Sequence, residues 1–477
     1  MPSRFLPFLL LALLASSLTR AAGDALEEGL AAFRAGDYQV AIERFQAAVK
    51  ERPKEASLHA WLGSAQLRAG RHREAIASLQ EAIALDPKMP EAHHNLGSAY
   101  WALGQTEEAV RHLQEAIFLQ PHYAAPHYNL GTVYLATGDL EGAAGEFTAA
   151  IALDAKNADA HNNLGVALER SGHLPEAIAA YQQAVALRPE SHVFRLNLAL
   201  AHRAAGSQEE ALKELTQLAN EGARDPVVFI TLGLMRYQAQ DYARAREAFA
   251  KAVELDQGSA VAHHNLGLCE RQLNHPAEAK RHFERAVALN PRSASARINL
   301  GAIALEEGNA GAAVTHFAAA LQAAPESYAA AFNLGLAYVR LGDDESALRV
   351  WSALADRVPE DVPVREALAS TCFRLRRYDE ACRHYEALVK LRPNDLVAHN
   401  NLGIIYEDFG ELDRAAQAYR TALALDANYA PAHNNLGVVY ERLGRREDAI
   451  AEYRAALAAD PKLADAKRNL ERLLAPE

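Results

Sequence analysis

A period of 34 residues runs through this chain and limits what it can fold into. Alanine recurs once per period without a miss, and a series of glycines keeps the same spacing, lapsing only to Ala199 and Ala369. The alanines are Ala41, Ala75, Ala109, Ala143, Ala177, Ala211, Ala245, Ala279, Ala313, Ala347, Ala381, Ala415 and Ala449. The glycines are Gly29, Gly63, Gly97, Gly131, Gly165, Gly233, Gly267, Gly301, Gly335, Gly403 and Gly437. Because thirteen periods pass without an insertion, the sequence predicts one supersecondary unit stacked on itself.

Each period has the pattern of two amphipathic helices joined by a turn. In residues 124–157 the spacing i, i+3, i+4, i+7 marks the buried stripe of a first helix, and a second stripe follows a Gly-Asp turn. The first stripe is His127, Leu130, Gly131 and Tyr134, and the second is Ala143, Phe147 and Ala150. Gly131 and Ala143 are small enough to let the two helices cross closely, and a leucine at either place would overpack the crossing.

Proline usually follows the second helix of the period. These prolines are Pro53, Pro87, Pro121, Pro189, Pro291, Pro325, Pro359, Pro393 and Pro461. Proline has no backbone N–H to donate and clashes with the preceding helical turn, so it is expected to end the helix at a fixed place.

This spacing resembles the tetratricopeptide repeat family, whose pattern is aromatic-x-x-Leu-Gly-x-x-Tyr, then Ala-x-x-x-Phe, then Pro. Residues 430–463 carry it nearly whole, in His433, Leu436, Gly437, Tyr440, Ala449, Tyr453 and Pro461. The resemblance implies an all-α, right-handed superhelical α-solenoid with thirteen repeats over residues 22–463. Residues 464–477 begin like a fourteenth unit and are expected to form a polar C-terminal capping helix.

The first 21 residues differ in kind from the repeats. Arg4 precedes an apolar run over residues 5–18, which is shorter than a membrane-spanning helix and typical of a secretory signal peptide. Thr19 and Ala21 give a small-x-small cleavage pattern, so residues 1–21 are predicted to be removed. The alternative is an uncleaved segment that anchors the solenoid to a membrane. High alanine, with arginine in excess of lysine, favours export to a bacterial periplasm.

Three cysteines occur in the chain. Cys269 lies three repeats from the others, whereas Cys372 and Cys382 face the same helix pair. These two either form a disulfide in an oxidising compartment or, as we expect for all three, are small buried apolar residues.

Asparagine occupies the sixth place of most repeats, and we call this series the asparagine ladder. It consists of Asn95, Asn129, Asn163, Asn197, Asn265, Asn299, Asn333, Asn401 and Asn435, and it is interrupted at Glu27, Trp61, Thr231 and Ala367. In the family the first helices line a concave groove, and a row of primary amides there matches the donors and acceptors of a peptide backbone. The ladder resembles that of the repeat domain of O-GlcNAc transferases and predicts binding of extended protein segments. The alternative is that these asparagines only connect neighbouring helices.

The neighbours of the ladder give the predicted groove local character. Tyr128 and Trp101 make its early part aromatic and suited to anchoring a partner side chain. Arg170, Arg203 and Arg271 make the middle more basic, and Glu407, Asp408 and Glu441 make the far end more acidic. Each of these charges is equally expected of an ordinary solvated face.

Histidine recurs at the fourth place of the repeat. The series is His59, His93, His127, His161, His263, His399 and His433. Packing in the core is favoured over metal binding, because the adjacent pairs His93–His94 and His263–His264 point about 100° apart on a helix. If these rings are buried and neutral, stability should fall as the pH drops through about 6.

Composition and motifs favour a binding protein over an enzyme. A formal net charge of −12 argues against nucleic acid as the main ligand. The sequence contains no nucleophile elbow, zinc-protease, phosphate-loop or calcium-loop motif. We therefore expect a non-catalytic exported scaffold that binds protein or peptide segments, without cofactor, metal or small-molecule substrate, and assists assembly of an envelope complex. The alternatives are a subunit that targets substrates to a separate enzyme such as a glycosyltransferase, and a self-assembling array.

Overall fold

The computed structural model describes residues 20–475, with side chains described from residue 25 onward. The predicted signal or anchor segment, residues 5–18, lies outside the described residues. The described chain is helical throughout, without a β-strand, and it forms two compact units that divide between Ala239 and Gln240.

Within the described residues, thirteen helices belong to the first unit. They are α1 (Arg20–Ala35), α2 (Tyr38–Glu51), α3 (Ala56–Arg68), α4 (His72–Leu85), α5 (Pro90–Ala102), α6 (Thr106–Leu119), α7 (Ala124–Thr137), α8 (Leu140–Leu153), α9 (Ala158–Arg170), α10 (Leu174–Leu187), α11 (His192–Ala204), α12 (Gln208–Asn220) and α13 (Pro226–Gln238).

Fourteen helices belong to the second unit. They are α14 (Tyr242–Leu255), α15 (Ala260–Gln272), α16 (Pro276–Leu289), α17 (Ala294–Glu306), α18 (Ala310–Ala323), α19 (Tyr328–Leu341), α20 (Asp344–Ala355), α21 (Val362–Arg374), α22 (Tyr378–Leu391), α23 (Leu396–Asp408), α24 (Leu412–Leu425), α25 (Ala430–Arg442), α26 (Arg446–Ala459) and α27 (Ala464–Leu474). Odd numbers are the first helices of the repeats and even numbers the second helices, so the predicted helix-turn-helix solenoid unit is confirmed.

The alanine and glycine series form the contact between the two helices of a repeat. All thirteen alanines of the series are completely buried. A Cβ placed on Gly131 would lie 2.9 Å from the ring of Phe147, and one on Gly437 would lie 2.7 Å from the ring of Tyr453. The first helix therefore has to present bare backbone to the large side chain sixteen residues later, as the predicted close crossing requires.

The turn between the two helices has a left-handed residue at the same place in all thirteen repeats. Glycine occupies ten of these places, for example Gly138 with φ 88°. Gln240, Asn274 and Arg376 occupy the other three, with φ of 61°, 64° and 56°. Because a side chain strains this backbone, arginine is the least expected of the three.

The last helix, α27, covers the apolar end of the second unit. Leu470 and Leu473 pack against the buried core formed by repeats ten to thirteen, while Lys467 and Glu471 are exposed. This is the arrangement of a capping helix, with one apolar and one polar face.

All three cysteines are buried, and none forms a disulfide. Burial raises the pKa of the Cys269 thiol to about 12 and those of Cys372 and Cys382 to about 11. They are small apolar core residues, and the disulfide alternative for Cys372 and Cys382 is not realised. No helix within residues 20–475 has both the length and the apolar character needed to cross a membrane.

Candidate binding face

The first helices of adjacent repeats lie side by side, so the asparagine ladder follows one face in each unit. In the first unit α3 contacts α5, α5 contacts α7 and α7 contacts α9. In the second unit α17 contacts α19, α23 contacts α25 and α25 contacts α27. Of the nine predicted asparagines, Asn129 is buried and the others are half-buried.

One set of ladder amides links neighbouring first helices. In each case the amide N–H of the asparagine donates to the fifth-place side chain of the preceding repeat, 35 residues earlier, and we call this bond the inter-repeat clip. The clips run from Asn129 to His94 Nε2 (2.7 Å), Asn163 to the Tyr128 hydroxyl (3.2 Å), Asn197 to Asn162 Oδ1 (2.8 Å), Asn435 to Asn400 Oδ1 (3.3 Å) and Asn469 to Asn434 Oδ1 (3.2 Å). At least one of the two amide N–H donors of each of these asparagines is therefore already used within the protein.

The clip at the third and fourth repeats belongs to a buried network. Asn129 also donates to Ser98 Oγ at 3.0 Å, and Asn95 makes the equivalent bond to Ser64 Oγ at 2.7 Å. The ring of His94 is further bonded, through Nδ1, to the hydroxyl of Tyr123 at 3.1 Å. Burial first, and the positive charge of Arg68 second, lower the pKa of His94 to about 4.

A second set of ladder amides makes no clip. Asn265 donates to the Val261 carbonyl of its own helix at 2.9 Å, and Asn299 donates to the Ser295 carbonyl at 3.0 Å. Asn333 forms no hydrogen bond through its side chain within the described part of the chain. Asn401 donates to the hydroxyl of Tyr385, on the second helix of the preceding repeat, at 2.8 Å.

The two interpretations of the ladder thus apply to different repeats. The clips link adjacent first helices, which is the connecting role. In repeats eight to ten the half-buried amide N–H groups of Asn265 and Asn299 donate only within their own helix, and Asn333 forms no side-chain hydrogen bond within the described chain. The Oδ1 of Asn299 accepts from Arg271 of the preceding repeat at 3.2 Å. Peptide binding by the ladder remains a prediction, and the geometry directs it to Asn265, Asn299 and Asn333.

The predicted aromatic anchors are partly used in packing. The ring of Tyr128 lies 5.8 Å from that of Phe147, and burial raises the pKa of the Tyr128 hydroxyl. Trp101 packs against the cluster of Leu113, Leu130 and Val133 and is half-buried. One side of each ring therefore packs against the protein core.

Several charges assigned to the groove are paired inside the protein. Arg170 donates to the Leu135 carbonyl at 3.0 Å, and Arg271 pairs with Glu306 at 2.6 Å. Glu407 accepts from Arg442 at 3.3 Å, and Glu441 pairs with Arg472 at 2.8 Å. These internal contacts weaken the charge gradient that the sequence predicts along the face.

The fourth-place histidines have a function that core packing alone did not predict. Their Nε2 donates to the carbonyl of the residue six positions earlier, in the turn that separates repeats. The acceptors are Pro53 for His59 (2.8 Å), Pro87 for His93 (3.0 Å), Pro121 for His127 (3.4 Å), Ala155 for His161 (3.3 Å), Pro393 for His399 (2.9 Å) and Ala427 for His433 (3.0 Å). The ring therefore fixes the entry into the next repeat.

The other ring nitrogen of a fourth-place histidine contacts the residue nineteen positions later. His127 Nδ1 lies 2.7 Å from a carboxylate oxygen of Glu146, and this hydrogen bond is the main reason why the pKa of His127 is raised. His93 Nδ1 lies 3.1 Å from Nδ1 of His112, where burial, followed by the charge of His93, lowers the pKa of His112 to about 4. His127 thus faces a carboxylate and His93 a second ring, a difference that their common spacing does not reveal.

Two of these features had a signal in the sequence. Asn469, in the capping helix, continues the ladder at the same spacing after Asn435. Polar residues at the fifth place, such as Tyr128 and Asn162, mark most of the repeats that accept a clip. No group of three or more potential metal ligands occurs within residues 20–475.

Models of known families match most of the chain. A model described as tetratricopeptide repeat matches residues 26–90, 128–192, 162–226 and 264–328. A second model of the same description matches residues 66–130 and 304–371. A third matches residues 362–395. The end of the chain is matched at 405–444 by a TPR repeat model and at 430–463 by another tetratricopeptide repeat model.

Among the solved structures that are similar to this chain, three match different shares of its length. The Cut9-Hcn1 hetero-tetramer of the APC/C is 17% identical, with 96% of this chain and 97% of that chain covered and a TM-score of 0.37. A tetratricopeptide repeat protein from Parabacteroides merdae is 20% identical over 52% and 98%, with a TM-score of 0.38. The protein TTC0263 of Thermus thermophilus is 28% identical over 38% and 98%, with a TM-score of 0.33. No match was found among curated proteins.

Proposed function

The chain belongs to the tetratricopeptide repeat family, whose repeats form protein-interaction scaffolds, and on that premise we propose that it holds extended segments of partner proteins along repeats eight to ten. The observation that supports this proposal is the presence there of three ladder amides without a clip, those of Asn265, Asn299 and Asn333. A primary amide pairs with a peptide unit through one donor and one acceptor.

The side chains beside these amides suit a partner with apolar residues. Val261 is 57% exposed and Leu336 is 37% exposed, and both lie on the first helices that carry the ladder. Leu268 and Ile298 are half-buried on the same helices. Apolar contacts next to backbone-directed amides favour an extended segment that alternates apolar and polar side chains.

We place the protein outside the cytoplasm and assign it no catalytic step. The apolar run over residues 5–18 and the Thr19–Ala21 pattern support export by a signal peptide. The absence of a catalytic motif from the sequence supports a binding function. In this proposal the scaffold assists assembly of a cell-envelope complex in a bacterial periplasm.

Affinity capture from the native envelope, with residues 22–477 as bait, tests the proposal. A bait with Asn265, Asn299 and Asn333 changed to alanine should lose the partner and melt at the same temperature as the parent. The matched control changes three clip asparagines, Asn163, Asn197 and Asn435, to alanine.

The control should lower the melting temperature and still capture the partner below that temperature. Equal capture by the parent and by the bait with Asn265, Asn299 and Asn333 changed to alanine would place the binding surface elsewhere. Capture of an enzyme together with its substrates would instead support the targeting alternative. Cell fractionation of the native protein, with sequencing of its N-terminus, tests export and cleavage near Ala22.

A further inference from the structure

The tenth repeat differs from its neighbours at the fourth place. Repeats two to thirteen have a ring or an arginine there, except the tenth, which has Ala331. The partner position nineteen residues later is Val350, where other repeats have residues such as Glu146 or His112. Both members of the pair are therefore small and apolar in this repeat.

The missing ring leaves a notch on the surface of the second unit. Its floor is formed by Ala331 and Leu354, which are buried, and its walls by Leu321 and Val350, which are half-buried. We call these four residues the Ala331 notch. The notch is open because Ala331 is small, whereas a histidine ring fills the equivalent position in seven of the other repeats.

The turn carbonyl that a histidine would have bonded is satisfied by another route. Arg357, at the end of the second helix, donates to the carbonyl of Pro325 at 3.1 Å and to that of Glu326 at 2.8 Å. The notch therefore has no polar group waiting for a hydrogen bond. Apolar walls with satisfied polar groups favour an apolar occupant over water.

The rim of the notch is basic on one side. Arg349 is exposed beside Val350, and its guanidinium donates to the hydroxyl of Ser346 at 2.9 Å rather than to a carboxylate. Arg357, on the other side, already pairs with Glu326. Arg349 is thus the charge available to a ligand.

A side chain that fits the notch occurs elsewhere in the same chain. Phe118, on α6 in the first unit, is 77% exposed, more than any other large apolar residue among those described. Glu115 is exposed one helical turn earlier on α6, and residues three apart share a helix face. Within the described chain, no ion pair engages the Glu115 carboxylate.

We propose that Phe118 of one molecule inserts into the Ala331 notch of a second molecule, with Glu115 pairing to Arg349. The aromatic ring replaces the ring that the tenth repeat lacks, and the Glu115 carboxylate pairs with the Arg349 guanidinium, which forms no ion pair among the described residues although Asp343 lies near it. Since the two surfaces are different parts of the chain, the contact is heterologous, that is, head-to-tail.

The contact should be weak because it is small. One inserted side chain buries far less than the roughly 1,000 Å² expected of a stable interface, so we expect a dissociation constant on the order of 100 μM. Such an affinity suits a scaffold that is concentrated locally by its partners. This inference does not depend on the asparagine ladder.

Sedimentation velocity of the full-length chain tests the proposal, from about 10 μM to about 500 μM, a range that spans the expected constant. The average mass of the parent should rise with concentration. Phe118→Ser removes the inserted ring and Ala331→His fills the notch with the residue found in other repeats, and each variant should remain monomeric. Losing the burial of one phenylalanine should weaken association by about 10- to 100-fold.

Mixing Phe118→Ser with Ala331→His is the strictest test of the contact. One retains the notch and the other retains Phe118, so an equimolar mixture should form a one-to-one complex and nothing larger. Val350→Glu, which closes the notch with a side chain found at the same place in other repeats, replaces Ala331→His if the latter melts early. A parent that stays monomeric throughout, association that survives in Phe118→Ser, or a mixture without a complex would each overturn the proposal.

Discussion

Single residues at fixed places of the repeat decide how closely its helices approach. The thirteen alanines of the series are completely buried, and glycines of the parallel series such as Gly63 and Gly131 face a leucine side chain or an aromatic ring. The tightest of these approaches is at Gly335, where a Cβ would lie 2.3 Å from the indole of Trp351. Volume, rather than polarity, is the property that these places select.

Gly131→Ala should destabilise the protein by about 1–3 kcal/mol, because the new methyl group would overlap the ring of Phe147. Gly145→Ala is the matched control, since Gly145 lies in a helix and nothing lies within 4 Å of its Cβ position. That substitution should stabilise by about 0.5–1 kcal/mol through reduced freedom of the unfolded chain. Urea unfolding measures both, and a shift of the same sign for the two variants would contradict the packing argument.

His94 should make the protein less stable in acid. Its folded pKa, about 4, lies below the ordinary value of 6.5, so the unfolded chain binds the proton more readily. Neutral His94 makes its full contribution to the free energy of unfolding above about pH 6.5. Up to about 3 kcal/mol of that free energy is lost as the pH falls toward 4. The melting temperature of His94→Gln should therefore depend less on pH between 7 and 4.5 than that of the parent.

His127 provides the opposite control. Its pKa is raised by Glu146, so its stabilisation is present below the unfolded pKa and is lost as the pH rises through the folded value. His127→Gln should cost more stability at pH 5.5 than at pH 8.5. Sequence spacing had predicted a loss of stability in acid for the fourth-place histidines, His127 among them. A His127→Gln variant that costs more stability at pH 8.5 than at pH 5.5 would restore that view.

At the scale of the element, the turn inside each repeat is as constant as the helices. Every repeat has a residue with positive φ between its first and second helix, and glycine takes this place in ten of thirteen. Most second helices that precede a turn proline end just before the C-cap residue next to it, as in α2, which ends at Glu51 before Arg52 and Pro53. The exception is α20, which ends at Ala355, ahead of Pro359. Helix length is thus set at both ends by backbone chemistry.

Arg376→Gly should stabilise the protein by about 1 kcal/mol, because arginine at φ 56° is strained and glycine is not. Gly410→Arg, at the same place of the next repeat with φ 76°, should destabilise by a similar amount. Chemical denaturation of the two variants gives the comparison. A neutral result at both positions would show that the turn tolerates a side chain after all.

At the scale of the whole molecule, contacts are local along the chain. The capping helix α27 makes its main contacts with α25 and α26, through Leu470, Leu473 and the clip from Asn469. A solenoid of this kind has a stability that is close to a sum over repeats and their interfaces. Damage at one end should therefore remain near that end.

Deleting residues 464–477 should remove hydrogen-exchange protection from α25 and α26 and leave α3 to α6 unchanged. The physical reason is that the deletion exposes the apolar face that Leu470 and Leu473 cover, with no contact to carry the effect further. Exchange followed by mass spectrometry resolves the helices individually. Uniform loss of protection along the chain would indicate one cooperative unit instead.

The sequence by itself determined the fold and the packing within a repeat. A 34-residue period with glycine facing a large side chain admits one arrangement of two helices, since only that crossing buries both stripes. It determined the family as well, because the pattern of apolar, small and proline places recurs in most of the repeats.

Only the tertiary structure decided how each asparagine and histidine is used. Asn163 makes a clip because Tyr128 of the neighbouring helix is an acceptor within 3.2 Å, whereas Asn299 bonds its own helix although His264 stands at the equivalent place. The same spacing gave His127 a carboxylate and His93 a second ring. A hydrogen bond depends on tenths of an ångström between separate helices, and a period along the chain does not contain that distance.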